Sequence, residues 1–350
     1  KGIEAMDEIS TLMEGRPVAG GAASGAGVDA AAWLARELAA AGVRYLIPSY
    51  VDMHGASKGK VVPLAHLKRM LNGSELCTGA ALDGVPQEIQ DEEVAAYPDP
   101  ASCIVEPWQP EVAWFASDLW TEGKPFEPCS RNILKRALAK AAALGYAVNF
   151  GIEAEFFVLR DDEAGGFTPI SPRKHLAKPA YDLARLHDNL PWLGELVDAM
   201  NGLGWDVYSF DHEDGIGQFE IDFAYASALT MCDRFVFFRR MANEIARKHG
   251  GFATFMPKPY GNFAGSGAHF NLSLAALEGG ENLFDTASGG EDPHGLGVTR
   301  LGYQFIAGVM KHLPAISALV APTVNSYKRL IVRGSTSGFT TGACTNLRPC

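Results

Sequence analysis

Cysteine is sparse and unpatterned in this chain. The six residues, Cys77, Cys103, Cys129, Cys232, Cys344 and Cys350, form no CxxC pair and no dense framework. That excludes a disulfide-stapled scaffold and points to reduced thiols in a cytoplasmic protein. No apolar run reaches the length of a bilayer span, so no membrane partner is expected. No basic cluster offsets the formal net charge of −11, which argues against non-specific nucleic-acid binding. Internal repeats and heptad arrays are absent, and the first 27 residues lack a secretory apolar core. What remains is a 350-residue chain, 47% hydrophobic and 20% charged, the composition of a soluble globular protein with two domains.

Residues 1–27 end in GGAASGAG and read as a flexible leader. Asp29 caps a predicted helix to Ala41 that Gly42 ends. A hairpin follows, with a strand over 43–53, a turn at 54–58 and a short strand at 60–62. Helical spacing over 64–71 precedes a stretch, 77–100, whose Gly, Asp, Glu and Pro content predicts a long functional loop. These elements predict a small α+β domain over 28–125, and the Pro-rich passage 123–128 marks the start of a larger domain over 126–350. Ser130 caps a predicted helix to Leu144. Further helices are predicted over 191–203, 226–249 and 298–319, the last interrupted at Pro314.

The informative stretch is NFGIEAEFFVL, residues 149–159. Alternation sets Ile152, Ala154, Phe156 and Val158 on one strand face, and Glu153, Glu155 and Phe157 on the other. Two carboxylates there need either a solvated edge or a cation, because carboxylates seldom enter a core unpaired. Two more segments are built alike. Gln218, Glu220 and Asp222 oppose Phe219, Ile221 and Phe223, and Glu213 stands just ahead of them. His269, Asn271 and Ser273 oppose Ala268, Phe270, Leu272 and Leu274. Where the apolar faces pack on helices, the polar faces converge on a cavity. Oxygen ligands with one imidazole suit Mg2+ or Mn2+ better than zinc. Two such ions offset the repulsion of four glutamates and serve phosphoryl transfer from a nucleotide. Each residue also has a plainer reading: His269 as a satisfied histidine, Glu213 as a turn residue, Lys258 as a solvated lysine. Arg329 stays open between the dipole at a helix C-terminus and two-point binding of a carboxylate.

GIEAEFF, HEDGIGQFEIDF, MPKP followed by GSGAH, and PTVNSYKR occur in the order found in glutamine synthetases, which this chain resembles over about residues 43–340. Within that family it is most similar to the type III glutamate–ammonia ligase and γ-glutamylmethylamide synthetase branch. The hairpin YVDMHGASKGKVVP resembles the family's N-terminal β-grasp signature. The resemblance implies a β-grasp domain plus a catalytic domain with a curved antiparallel sheet flanked by helices. It implies an ATP-dependent ligase that forms γ-glutamyl phosphate and then a γ-glutamyl amide, from glutamate and ammonia or a small primary amine. By motif, Glu155, Glu213 and Glu220 would bind one Mg2+ or Mn2+ on the glutamate side. Glu153 and His269 would bind a second on the ATP side. Gly265 and Arg329 would hold glutamate, and Ser273 and Asn271 would lie at the nucleotide. The family assembles as homo-oligomers of stacked rings, dodecamer-like, with active sites between subunits.

Two departures stand out. The family's Asp-Gly-Ser-Ser loop matches residues 77–81 here, with Thr78 in place of the aspartate that helps bind ammonium. A neutral threonine removes attraction for a compact cation and presents a methyl group to an alkylamine such as methylamine. Asp83 or the acidic run 91–93 stands as another source of that charge. After Thr340 the sequence leaves the family pattern, and nucleotide-contacting arginines, a further metal glutamate and the C-terminal helices are missing. That reads as a truncated or altered tail, with reduced activity expected of this chain. A γ-glutamylpolyamine ligase and a non-catalytic family member with an assembly role remain as alternatives.

Overall fold

A computed structural model describes residues 30–162, 164–171, 173 and 179–330. The leader over 1–27, the cap at Asp29 and the tail after Thr340 lie outside the described residues. The chain divides into two compact units. One takes the described residues up to Ala137 with Gly202–Gly204 and Cys232–Phe237; the other takes Leu138–Asn201, Trp205–Met231 and the residues from Phe238 on.

In the first unit, α1 (Ala30–Ala40) leads to β1 (Tyr45–Val51), β2 (Ser57–Gly59), β3 (Val62–Pro63), α2 (Leu67–Leu71) and β4 (Glu75–Cys77). Then come β5 (Val94–Pro98), β6 (Ile104–Val105), β7 (Val112–Thr121) and β8 (Lys124–Pro125). The eight strands form one sheet in which β1 and β7 run parallel and β5 pairs antiparallel with β7. The hairpin forms with Ser49 opposite Gly59, a partner strand that begins earlier than its alternation suggests. The stretch 77–100 is not one long loop, because β5 inserts into the sheet with Val94 and Ala96 buried. Leu34, Leu38, Leu46, Leu67, Met70 and Phe115 close the core between α1, α2 and the sheet. Arg131, at the start of α3 (Ser130–Ala143), is buried against Asp99 and Asp118, each at 2.7 Å, and Asp233 at 3.0 Å. Burial opposes its charge, but the three carboxylates outweigh burial and raise its pKa.

The second unit is organised on one strand. β9 (Tyr146–Asp161) runs for 16 residues, and its neighbours are β10 (Phe167–Pro169), α4 (Leu183–Gly202), β11 (Val207–His212), β12 (Gln218–Phe223), β13 (Ala226–Ser227), α5 (Ala228–Lys248), β14 (Phe252–Thr254), β15 (Ala268–Ala276), α6 (Arg300–Val320) and α7 (Val324–Leu330). β10, β12, β13, β14 and β15 all pair antiparallel with β9, and β11 pairs with β12. Ala154 lies opposite both Ile221 of β12 and Ala268 of β15, so those strands occupy opposite edges of β9.

The expected alternation holds over residues 152–155, and Phe157, expected on the glutamate face, is fully buried as well. Ile152, Ala154, Phe156 and Val158 are buried while Glu153 and Glu155 are half-buried. Phe156 stacks on Phe255 at 5.2 Å and meets Phe238 of α5 and Trp192 of α4 edge-on at 5.8 and 6.3 Å. The apolar face of β9 thus packs on helices, and its glutamates are turned the other way. Truncating Phe156 to alanine in that position costs ~3–5 kcal/mol. Three expectations shift. α4 begins at Leu183, ahead of Pro191, because Asp182 caps it by accepting from the Ala184 N–H at 2.9 Å. α6 runs unbroken through Pro314. Phe270, assigned to the packed face of β15, is 52% exposed.

Candidate active site

Two rows of side chains cross the polar face of the second sheet. In one, Asp211 of β11 lies opposite Glu220 of β12, and Glu220 lies opposite Glu155 of β9. In the other, Glu153 of β9 lies opposite His269 of β15. Directly opposed side chains in a sheet sit close enough to interact, so like charges there are destabilising unless a proton or cation intervenes. One ligand atom each from Glu155, Glu220 and His269 lies within 4.8 Å of the others. Two carboxylates and an imidazole at that spacing fit a hard divalent cation such as Mg2+ or Mn2+.

The glutamates are held differently. Glu155 Oε2 accepts from Gln218 Nε2 at 2.9 Å and from the Gly267 N–H at 3.0 Å. Glu153 Oε1 accepts from Asn271 Nδ2 at 2.8 Å, and its Oε2 lies 3.2 Å from His269 Nδ1. His269 therefore stands between the two glutamates, beside Glu153 and gathered with Glu155 and Glu220.

Crowding of carboxylates shows in their proton affinity. Burial, then Asp222, Glu155, Glu213 and Glu153, push Glu220 up to about 8. Burial, then Glu153 and Asp211, raise Asp222 to about 6, with His269 opposing. Burial also raises Glu213, aided by Glu155, Asp211 and Asp214 against the Asp214 N–H, and Asp211 rises through burial and Glu155. In the absence of a cation, protons take up the excess charge.

The glycine-rich loop brings the arginine in. A Cβ on Gly267 would lie 2.8 Å from Arg329 Nη2 and 3.1 Å from Glu155 Oε1, and one on Gly265 would lie 2.6 Å from the Pro257 carbonyl. At Gly265 a side chain would collide with backbone, and at Gly267 it would push the arginine and carboxylate ends aside. Arg329, near the end of α7, has its Nε buried without a hydrogen-bond partner among the described residues. Lys258 donates to the Phe263 carbonyl, and burial with the nearby Arg329 charge lowers its pKa.

Of the residues singled out by sequence, Glu153, Glu155, Glu213, Glu220, His269, Asn271, Gly265 and Arg329 all lie in this second unit around the β9 glutamates and the loop. Ser273 lies farther along β15, opposite Asn149. Thr78 belongs to the first unit, exposed, just ahead of a short 3-10 turn. Three residues escaped the sequence reading of the site. Asp211 is two positions ahead of Glu213, a spacing that would have placed it on the same face. Asp222 was visible in the alternation of β12 but not assigned a role. Tyr181 has φ 63, and its pKa is raised first by Glu213 and then by Asp211; nothing in its sequence signals this.

Residues 127–344 match the glutamine synthetase catalytic domain. The chain is 40% identical over 299 residues to a glutamate–methylamine ligase of Methyloversatilis universalis, which covers 85% of this chain and 66% of that protein. The chain belongs to the glutamine synthetase family. It is also 37% identical over 301 residues to a glutamine synthetase of Rhizobium leguminosarum bv. phaseoli, covering 85% of this chain and 66% of that one. Among solved structures, a complex titled GmaS/ADP superposes with a TM-score of 0.79 at 37% identity, covering 85% of this chain and 67% of that chain. The glutamine synthetase fold, helices around an antiparallel sheet, is thus shared along most of the chain. The chain spans about two thirds of the length of these curated relatives. No helix among the described residues is long and apolar enough to cross a membrane.

Proposed function

We propose that this chain carries the glutamate and metal side of an ATP-dependent ligase that joins glutamate to ammonia or a small primary amine, with methylamine favoured. The observation that carries the reading is the convergence of Glu155, Glu220 and His269 beside Arg329, whose buried Nε has no hydrogen-bond partner among the described residues. Glu155, Glu213 and Glu220 would hold one divalent ion, and Glu153 with His269 would hold a second. Bound Mg2+ or Mn2+ supplies Lewis-acid stabilisation of phosphoryl and carboxylate charge.

The chain's own groups do the positioning. The Arg329 guanidinium pairs with a glutamate carboxylate, and the Gly265 backbone lines the same pocket. Ser273 and Asn271 face the nucleotide. ATP phosphorylates the side-chain carboxylate of glutamate, and the amine displaces phosphate from the resulting γ-glutamyl phosphate. Fixing the acceptor between a cation arginine and oriented carboxylates lowers the entropy cost of that encounter. Thr78, in the β-grasp domain over residues 28–125 of a neighbouring subunit, would meet the amine with a methyl group instead of a charge. Asp83, a candidate for that charge alongside the acidic run 91–93, lies 3.6 Å from His54.

The 40% identity to a glutamate–methylamine ligase supports the methylamine preference. Stacked homo-oligomeric rings with sites between subunits complete the reading, and the free thiols of Cys77, Cys103, Cys129 and Cys232 fit a cytoplasmic setting. The test incubates the chain with glutamate, ATP and Mn2+ and either ammonium or methylamine, and separates the products by mass. γ-Glutamylmethylamide in excess of glutamine supports the reading. Glutamine alone overturns the methylamine preference, and no product from a chain that binds Mn2+ supports a non-catalytic member.

A further inference from the structure

The amide of Gln218 is fully buried and makes contacts in three directions. Its Oε1 accepts from the Gly215 N–H at 2.8 Å. Because a backbone N–H can only donate, this contact fixes which end of the amide is oxygen. Nε2 therefore faces the site, donating to Glu155 Oε2 at 2.9 Å and to the Gly265 carbonyl at 3.2 Å, with Ser266 Oγ at 3.5 Å.

We propose that Gln218 is a positioning residue that aims the Glu155 carboxylate and ties it to the glycine-rich loop beside Arg329. The proposal rests on the reading of Glu155 as a metal ligand. Glu155 Oε2 is already committed to two donors, Gln218 and the Gly267 N–H, which leaves Oε1 to face the loop and the cavity. The position of a Cβ on Gly267 marks that direction: it is 3.1 Å from Glu155 Oε1, 3.5 Å from His269 Nε2 and 2.8 Å from Arg329 Nη2. A neutral amide suits this task. A lysine or arginine in its place would compete with the cation for the carboxylate, and a glutamate would repel it. A shorter or apolar side chain removes one of the two donors to Glu155 Oε2 and the amide donor to the Gly265 carbonyl in a buried setting. Through one nitrogen, the metal ligand and the substrate loop share a single anchor.

The test is a double-mutant cycle read by titrating Mn2+ alone into the chelator-treated 350-residue chain, with free Mn2+ followed by electron paramagnetic resonance. Gln218→Ala is expected to weaken Mn2+ binding by ~10-fold or more in the unmodified background. In the Glu155→Gln background the same substitution is expected to change nothing further. An equal loss in both backgrounds assigns Gln218 to general stability and overturns the proposal, as does no loss in the first. Should Gln218→Ala not fold, Gln218→Met keeps the side-chain length and runs the same cycle. An unmodified chain whose Mn2+ binding ignores Glu155→Gln would instead defeat the assignment of the metal site itself, a separate result.

Discussion

The two glutamates of β9 are neighbours in sequence and opposites in setting. Glu155 is held by a backbone N–H and a fully buried amide, with a carboxylate facing it on β12. Glu153 is held by Asn271 and by an imidazole whose side chain is 58% exposed. One strand, alternating side chains two residues apart, thus presents a rigid ligand and a yielding one to the same cavity. On the proposed two-ion reading, the tightly held carboxylate would suit an ion that stays, and the looser one an ion that comes and goes with a nucleotide.

The largest effect that tests this difference is on metal affinity. Glu155→Gln should weaken the tighter phase of Mn2+ binding by ~100-fold or more, beyond the ~10–100-fold of a supporting residue. Glu153→Gln should leave that phase in place and weaken only a second, looser one. Equal losses would erase the distinction. Next in size is Arg329→Met, which removes a charged hydrogen-bonding group worth ~1.5–3 kcal/mol per bond and should weaken glutamate binding by at least ~10-fold. Isothermal titration with glutamate checks it, and Mn2+ affinity should stay unchanged.

A smaller effect appears as pH dependence. In the metal-free chain Glu220 keeps its proton up to about pH 8 and Asp222 up to about 6, both above their ordinary values. The folded state then binds more protons than the unfolded state across this range. Stability from these two groups is full at lower pH and is lost as pH rises toward 8. Melting of the chelator-treated chain should fall between pH 6 and 8, Mn2+ should reverse the fall, and Glu220→Gln should flatten it. A melting temperature that rises with pH equally in both proteins would contradict the crowding of charge on this face. The smallest effect is expected at Thr78→Asp. A carboxylate about 4 Å from an ammonium ion in water is worth roughly 1 kcal/mol, or about five-fold in apparent ammonium affinity, read as the KM for ammonium.

The polar face was legible because three strands alternate in sequence and the apolar faces of β9 and β12 are buried, while that of β15 stays exposed at Ala268 and Phe270. Two other strands were not. β7 reads VAWFASDLWT, with six consecutive buried residues and no alternation to announce a strand. β5 hides at the end of an acidic, glycine-containing stretch, and only its pairing with β7 makes Val94 and Ala96 core residues. The helix is expected to begin at Pro191, a residue common at the first helical position, whereas the cap at Asp182 starts it eight residues earlier at Leu183. In the site, Glu155, Glu220 and His269 came from local pattern, but the company of each did not. Gln218 and Gly267 lie 63 and 112 residues from Glu155 in sequence, and their contacts with it arise only once β12 and β15 are laid on opposite edges of β9.

The most direct test is to grow crystals with Mn2+ and locate the ion by its anomalous scattering. Two peaks are expected, one bonded to carboxylate oxygens of Glu155, Glu213 and Glu220 and one at Glu153 and the ring of His269. Peaks elsewhere, with those five side chains left on their present partners, would contradict the proposed site.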